Sequence, residues 1–154
     1  MQIEMMVQTI SLLLWYFILV NKGENGMKII FSNNKEFEYF NAYALERDFK
    51  NGYTRPSIEI YMSIAQTSYN EIEGIINDTE IMKSFTLIGD TPVDEYGMVM
   101  GETPMNTYTD YTIKGKISVE DDVLTFKMYR LSDIEIENKE AMATIDELLI
   151  AMEV

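Results

Sequence analysis

The chain has 154 residues, 47% apolar and 25% charged, with a net charge of −14; this is the profile of one globular domain and excludes wholesale disorder. It contains neither Cys nor His, which removes disulfides, thiolate chemistry, imidazole metal sites and every Ser-His-Asp arrangement, leaving carboxylates, Lys and Tyr for any catalysis. The acids are unevenly spread, with twenty against six bases from residue 57 onward, a surface that repels duplex nucleic acid and anionic membranes alike.

Residues 10–20 (ISLLLWYFILV) are the most apolar run, too short for the roughly 20 residues of a bilayer span. The only charge before them is Glu4, whereas a secretory signal opens on basic residues. A polar stretch, Asn21–Gly26, follows in place of a small-residue cleavage site. Lys22-Gly23-Glu24 can be encoded by a purine-rich run resembling a bacterial ribosome-binding sequence, a few nucleotides before the Met27 codon. The expectation is a mis-assigned start, with residues 1–26 a non-native or disordered apolar extension and 27–154 a single domain.

Lys28–Ser32 (KIIFS) predicts a strand, turned at Asn33-Asn34 into Glu36–Tyr43 (EFEYFNAY), where Phe37 and Tyr39 alternate with acids. Together they read as a β-hairpin. Arg47–Pro56, with Asn51-Gly52 and Pro56, reads as a loop. Ser57–Ser63 alternates again and puts Ile58, Ile60 and Met62 on one side. The period then changes. Ser68 and Glu71 fit a capping box, and Tyr69, Ile72, Ile75 and Ile76 share one face of a short helix over about 68–77. Ser84–Ile88 is the next strand. Asp90–Asp110 is irregular, with Pro92, Gly97, Gly101 and Pro104. It presents Met98, Met100 and Met105 to solvent, as a partner-contacting loop does; a short strand around Tyr96–Met100 is the alternative. Tyr111–Val119 and Val123–Tyr129 form a hairpin turned at Glu120-Asp121-Asp122, with Leu124, Phe126 and Met128 buried. The class is α+β, mainly antiparallel sheet of about six to seven short strands, the short helix, and a C-terminal amphipathic helix over about 132–152.

That last helix carries the most regular pattern. Leu131, Ile134, Asn138, Ala141, Ile145, Leu148 and Met152 recur at alternating spacings of three and four, a heptad seam with one polar member. Ser132 and Glu135 fit a capping box at its start. Strict alternation makes the narrow stripe a coiled-coil partner covers, and an Asn within it fixes register. Met142 and Leu149 widen the stripe toward docking on the chain's own sheet. With only about three heptads, docking is placed ahead of a pure coiled coil, and both can hold at once.

Two acidic clusters, Glu120-Asp121-Asp122 and Asp90 with Asp94 and Glu95, lack EF-hand spacing and read as solvated turns. There is no glycine-rich phosphate loop and no GxSxG elbow. Neither catalytic residues, nor a cofactor, nor a metal site is expected. Tyr53, Tyr96, Tyr108 and Tyr111 are candidates for a contact surface, or equally for core and sheet faces.

The opening Met27-Lys28-Ile29-Ile30-Phe31 strand, the Ile58-Glu59-Ile60 strand and a short helix before Phe85-Thr86-Leu87-Ile88 come in a familiar order. A closing hairpin runs through Leu124-Thr125-Phe126-Lys127-Met128 into Leu131-Ser132-Asp133-Ile134-Glu135. Over most of Met27–Val154 this order resembles small proteins encoded in the tail modules of phages and prophages of Gram-positive bacteria. The resemblance implies a non-enzymatic structural or assembly protein of the tail or baseplate. Its location would be the host bacterial cytoplasm during assembly, with the virion as a further one. Its expected partners are copies of itself or other phage structural proteins, with no nucleic acid and no membrane. The contacts would run through the seven seam residues and through Met98 and Met100. The rival reading, from charge, is an acidic phage- or prophage-encoded inhibitor that binds a basic, nucleic-acid-binding surface of a host protein.

Overall fold

Five non-glycine residues have positive φ, and all are Asn or Asp: Asn34, Asn51, Asp110, Asp121 and Asp122. Their short polar side chains tolerate the left-handed region that other residues avoid. In the computed structural model, whose described residues are 26–153, three hairpins close on these positions. The expected mis-assigned start concerns residues that, Gly26 apart, lie outside those described.

In chain order the elements are β1 (Lys28–Phe31), β2 (Glu36–Glu38), β3 (Asn41–Lys50), β4 (Tyr53–Ser63) and α1 (Tyr69–Ile76). After a 3-10 turn at Ile81–Lys83 come β5 (Ser84–Ile88), β6 (Met105–Thr109), β7 (Ile113–Glu120), β8 (Val123–Tyr129) and α2 (Asp133–Met152). The strands form two antiparallel four-stranded sheets, ordered β2-β1-β5-β6 and β3-β4-β8-β7. The fold is therefore α+β, with eight strands where about six to seven were expected. Each sheet is a pair of hairpins joined at their inner strands, and successive hairpins alternate between the sheets.

Three expectations change. The first hairpin is shorter than its alternation implied: β2 ends at Glu38, and Asn41 onward belongs to the other sheet. Arg47–Pro56 is not a loop but the closed end of the β3–β4 hairpin. Asn51 and Gly52 have φ of 52° and 80°, as a two-residue hairpin turn with both central residues left-handed requires. Pro56 is tolerated in a central strand because β3 bulges opposite it, the register shifting between Leu45 and Asp48, so its missing N–H breaks no regular rung. In the long β5–β6 connection, the strand lies at Met105–Thr109 and not at Tyr96–Met100, where only a Val93–Val99 bridge forms.

The core lies between the sheets. β1 gives it Ile29 and Phe31, β4 gives Ile58, Ile60 and Met62, β5 gives Phe85 and Leu87, and β8 gives Leu124, Phe126 and Met128. α1 adds Ile72, Ile75 and Ile76 from the face its sequence marks out. Ser68 makes no side-chain cap bond there, so the helix forms without the expected capping box. β7 carries a second bulge between Lys114 and Ile117. A Cβ on Gly115 would stand 2.8 Å from the Tyr129 ring and 2.9 Å from the Lys127 carbonyl oxygen, so only glycine lets the bulge approach β8 this closely.

Candidate interaction surface

The surface is built from α2, and α2 is held at its base by one buried side chain. On β4, Ile58, Ile60 and Met62 face the core, so Arg55 and Ser57 fall in the opposite phase. Both are nevertheless buried. Arg55 donates through Nε to the Lys50 carbonyl at 3.1 Å and through Nη1 to the Arg130 carbonyl at 3.3 Å. Its Nη1 and Nη2 also grip the Glu135 carboxylate at 2.7 and 3.2 Å, and Tyr53 stacks on the guanidinium. This is the planar two-point geometry that Arg offers a carboxylate. Glu135 in turn accepts from the Ser132 backbone N–H at 2.7 Å, while its own N–H donates to the Ser132 hydroxyl. The capping box expected from Ser132 and Glu135 is complete. The same carboxylate that caps the helix also fastens it to β4.

Beside this pair, Asp48 accepts from Ser57 Oγ at 3.0 Å and pairs with Lys127 at 2.5 Å. The bond from Arg55, aided by the Ser132 N–H, holds the Glu135 carboxyl below its usual 4.5. The bond from Lys127 holds Asp48 below its usual 3.8, against a smaller opposing effect of burial. Both folded-state values are depressed, so the stability they give is complete above the unfolded carboxylate range and is lost as pH falls through the folded values. The urea midpoint is expected to hold from neutral pH to about 5 and to decline below about 4.5. Glu135→Gln should flatten that decline; an equally steep fall in the variant would remove Glu135 as its source.

Beyond this base, α2 leaves the body. Glu135 and Ile136 are half-buried, but every residue described from Glu137 onward is exposed, and no α2 side chain is fully buried. The expectation that docking on the sheet comes first is therefore wrong. The physical reason is a conflict of faces. The body grips the helix at Glu135 and Ile136, about 130° around from the centre of the stripe at about 100° per residue. Fastening through Arg55 turns the apolar stripe outward. Ile134, Ile145, Leu148 and Met152 are 59, 49, 59 and 82% exposed, and Asn138 and Ala141 are exposed with them. Leu131 is half-buried, its N–H donating to the Asp110 carbonyl at 2.9 Å. Met142 and Leu149 widen the uncovered stripe.

The second expected surface is also exposed. Met98, Met100 and Met105 stand in solvent with Val93, Tyr96 and Val99. Asp94 shapes the loop, its carboxylate accepting from the N–H groups of Tyr96 and Met98. The structure does not join the two surfaces. The loop leaves the Ile88–Met105 end of the β5–β6 ladder, while the Asp110 carbonyl that receives Leu131 follows its Ser84–Thr109 end. Tyr108 and Tyr111 drop out as contact residues, since they pack with Phe85 in an aromatic cluster. Tyr53 and Tyr96 remain accessible.

Asp121 and Asp122 form the two-residue β7–β8 turn. Among the described residues no group of three or more acidic side chains is gathered closely enough to hold a metal ion, and no helix is long and apolar enough to cross a membrane. Sequence reasoning found the stripe and the capping box but missed Arg55, since it falls in the Arg47–Pro56 segment expected to be a loop, where an Arg carries no sign that it will be buried. Compared with protein-family models, curated proteins and solved structures, the chain gives no match.

Proposed function

We propose that this protein is a non-enzymatic association subunit that works by presenting α2 to protein partners, in the role that its resemblance to phage tail-module proteins implies: structural or assembly work in a tail or baseplate. The observation that carries this reading is the uncovered stripe on a helix fastened only at its first turn. A monomeric soluble protein seldom leaves a contiguous apolar face of this kind in water. A bidentate pair between the wholly buried Arg55 and the part-exposed Glu135 carboxylate sets the angle at which the helix emerges, which lowers the orienting entropy lost on association. Met98, Met100 and Met105 offer a separate, adaptable patch, since Met side chains conform to varied partners.

The test is Ile145→Asp with Leu148→Asp in the full-length chain, followed by sedimentation over a range of concentrations. The parent is expected to associate. The double variant should associate at least roughly 100-fold more weakly, because each Asp sets a charge against apolar neighbours. At concentrations where both proteins are monomeric, its urea midpoint should match the parent's, since both side chains are exposed in the single chain. A parent that stays monomeric at all concentrations and captures a basic protein would favour the second reading, an acidic inhibitor of a nucleic-acid-binding surface. That alternative is supported by the net charge of −14.

A further inference from the structure

We infer that the partner of α2 is the α2 of a second copy, packed parallel and in register as a two-stranded coiled coil; this rests on the association reading above. In the heptad that the 3–4 spacing defines, Asn138, Ile145 and Met152 occupy a positions of α2 and Ile134, Ala141 and Leu148 occupy its d positions, while Leu131 precedes the helix and stays with its own body. Ile at a with Leu at d, as at Ile145 and Leu148, favours two parallel strands. Asn138 decides the direction. In a parallel, in-register pair it meets Asn138 of the second copy, and the two amides can bond across the axis. In the antiparallel pairing that best overlaps the stripes, a positions face d positions. Asn138 would then lie against Leu148 of the second copy, a buried polar group without a partner.

Charge permits the pairing despite the acidity of the chain. Asp133, Glu140, Asp146 and Glu147 sit at b and c positions, away from the seam. Across the flanks of a parallel pair, Glu137 meets Met142 and Thr144 meets Leu149, while the Glu135 carboxylate stays on Arg55 of its own body, so no two carboxylates oppose each other. The globular bodies also permit it. Each body grips its helix through Glu135 and Ile136, about 130° from the stripe, so two bodies at the same end lie on opposite outer sides of the helix pair.

The absence of Cys from the chain makes single-cysteine crosslinking a clean test. Full-length Met152→Cys and, separately, Leu148→Cys are oxidised gently and resolved without reductant, alongside sedimentation of the reduced proteins. A parallel register brings identical a or d residues to within the Cα spacing a disulfide needs, about 4.4–6.8 Å, so both variants should convert mostly to covalent dimers. Both side chains are exposed in the single chain, so folding is not at risk. A reduced protein that sediments as a dimer, yet crosslinks in neither variant, overturns the parallel pairing and leaves the association reading standing. A trimer or larger species overturns the two-stranded state. A monomer at all concentrations overturns both.

Discussion

Replacing Arg55 with Met is expected to remove about 2–4 kcal/mol from the unfolding free energy, read as a fall in the urea midpoint at constant slope. The Arg55 side chain is wholly buried and makes four bonds, two to backbone carbonyls and two to Glu135. Met fills much of the space but takes the donors from two carbonyl oxygens that met a wholly buried guanidinium, and leaves the 30% exposed Glu135 carboxylate only water and the Ser132 N–H; acceptors deprived of a donor in this way cost more than a made bond gives. The loss is large beside the roughly 5–15 kcal/mol that holds a typical domain together. Adding Glu135→Leu should restore a good part of it by removing the unpaired charge, which identifies the coupling between the two residues. Arg55→Lys should fall between, because an ammonium cannot reproduce the two-point grip. A loss under about 1 kcal/mol for Arg55→Met would place the pair among ordinary surface bridges. The base of α2 would then need another anchor.

Phe85→Ala should cost a similar amount, about 3–5 kcal/mol, and for a different reason. Phe85 is 1% exposed, in the middle of sheet β2-β1-β5-β6. Its ring stacks on Tyr108 with centroids 5.3 Å apart, meets Tyr111 edge-on at 6.1 Å and leans on Phe31 at 6.2 Å. These offset and edge-on contacts add to the burial of the ring itself. Three rings cannot collapse into the vacated space without leaving their own rotamers, so most of the cavity should persist. Phe85→Leu should lose clearly less. Equal losses for Ala and Leu would mean that ring geometry matters little here and that the site relaxes freely. Burial already raises the Tyr111 hydroxyl above its usual 10.0, in line with a cluster that admits little water.

Most strands were legible because their alternation survives in the burial: Ile58, Ile60 and Met62, or Leu124, Phe126 and Met128, face the core as their period demands. The misread segments are those where two signals conflicted. At Asn51-Gly52 the hairpin signal lay beside Pro56, and reading Pro56 as a strand breaker was wrong because the bulge opposite it was invisible in the sequence. In the first hairpin the alternation of Phe37 and Tyr39 runs on past the end of β2. Tyr39 turns into the core, where its hydroxyl donates to the Ile88 carbonyl at 3.2 Å, and the chain then crosses to the other sheet. For the candidate surface, spacing alone revealed the exposed stripe of α2 from Ile134 to Met152, but it also took in Leu131, which precedes the helix and is half-buried. It could not say which way the seam points, because that follows from Arg55, which lies 80 residues away along the chain from Glu135.

The alternation of hairpins between sheets bears on how the molecule comes apart. β1–β2 and β5–β6 make one sheet, while β3–β4 and β7–β8 make the other, so each half of either sheet waits for chain that has first contributed to its neighbour. A cut between any two hairpins leaves at least one sheet without half its strands and opens the shared apolar interior to water. Fragments of this protein should therefore lack an independent fold, and the two sheets should melt in a single cooperative transition.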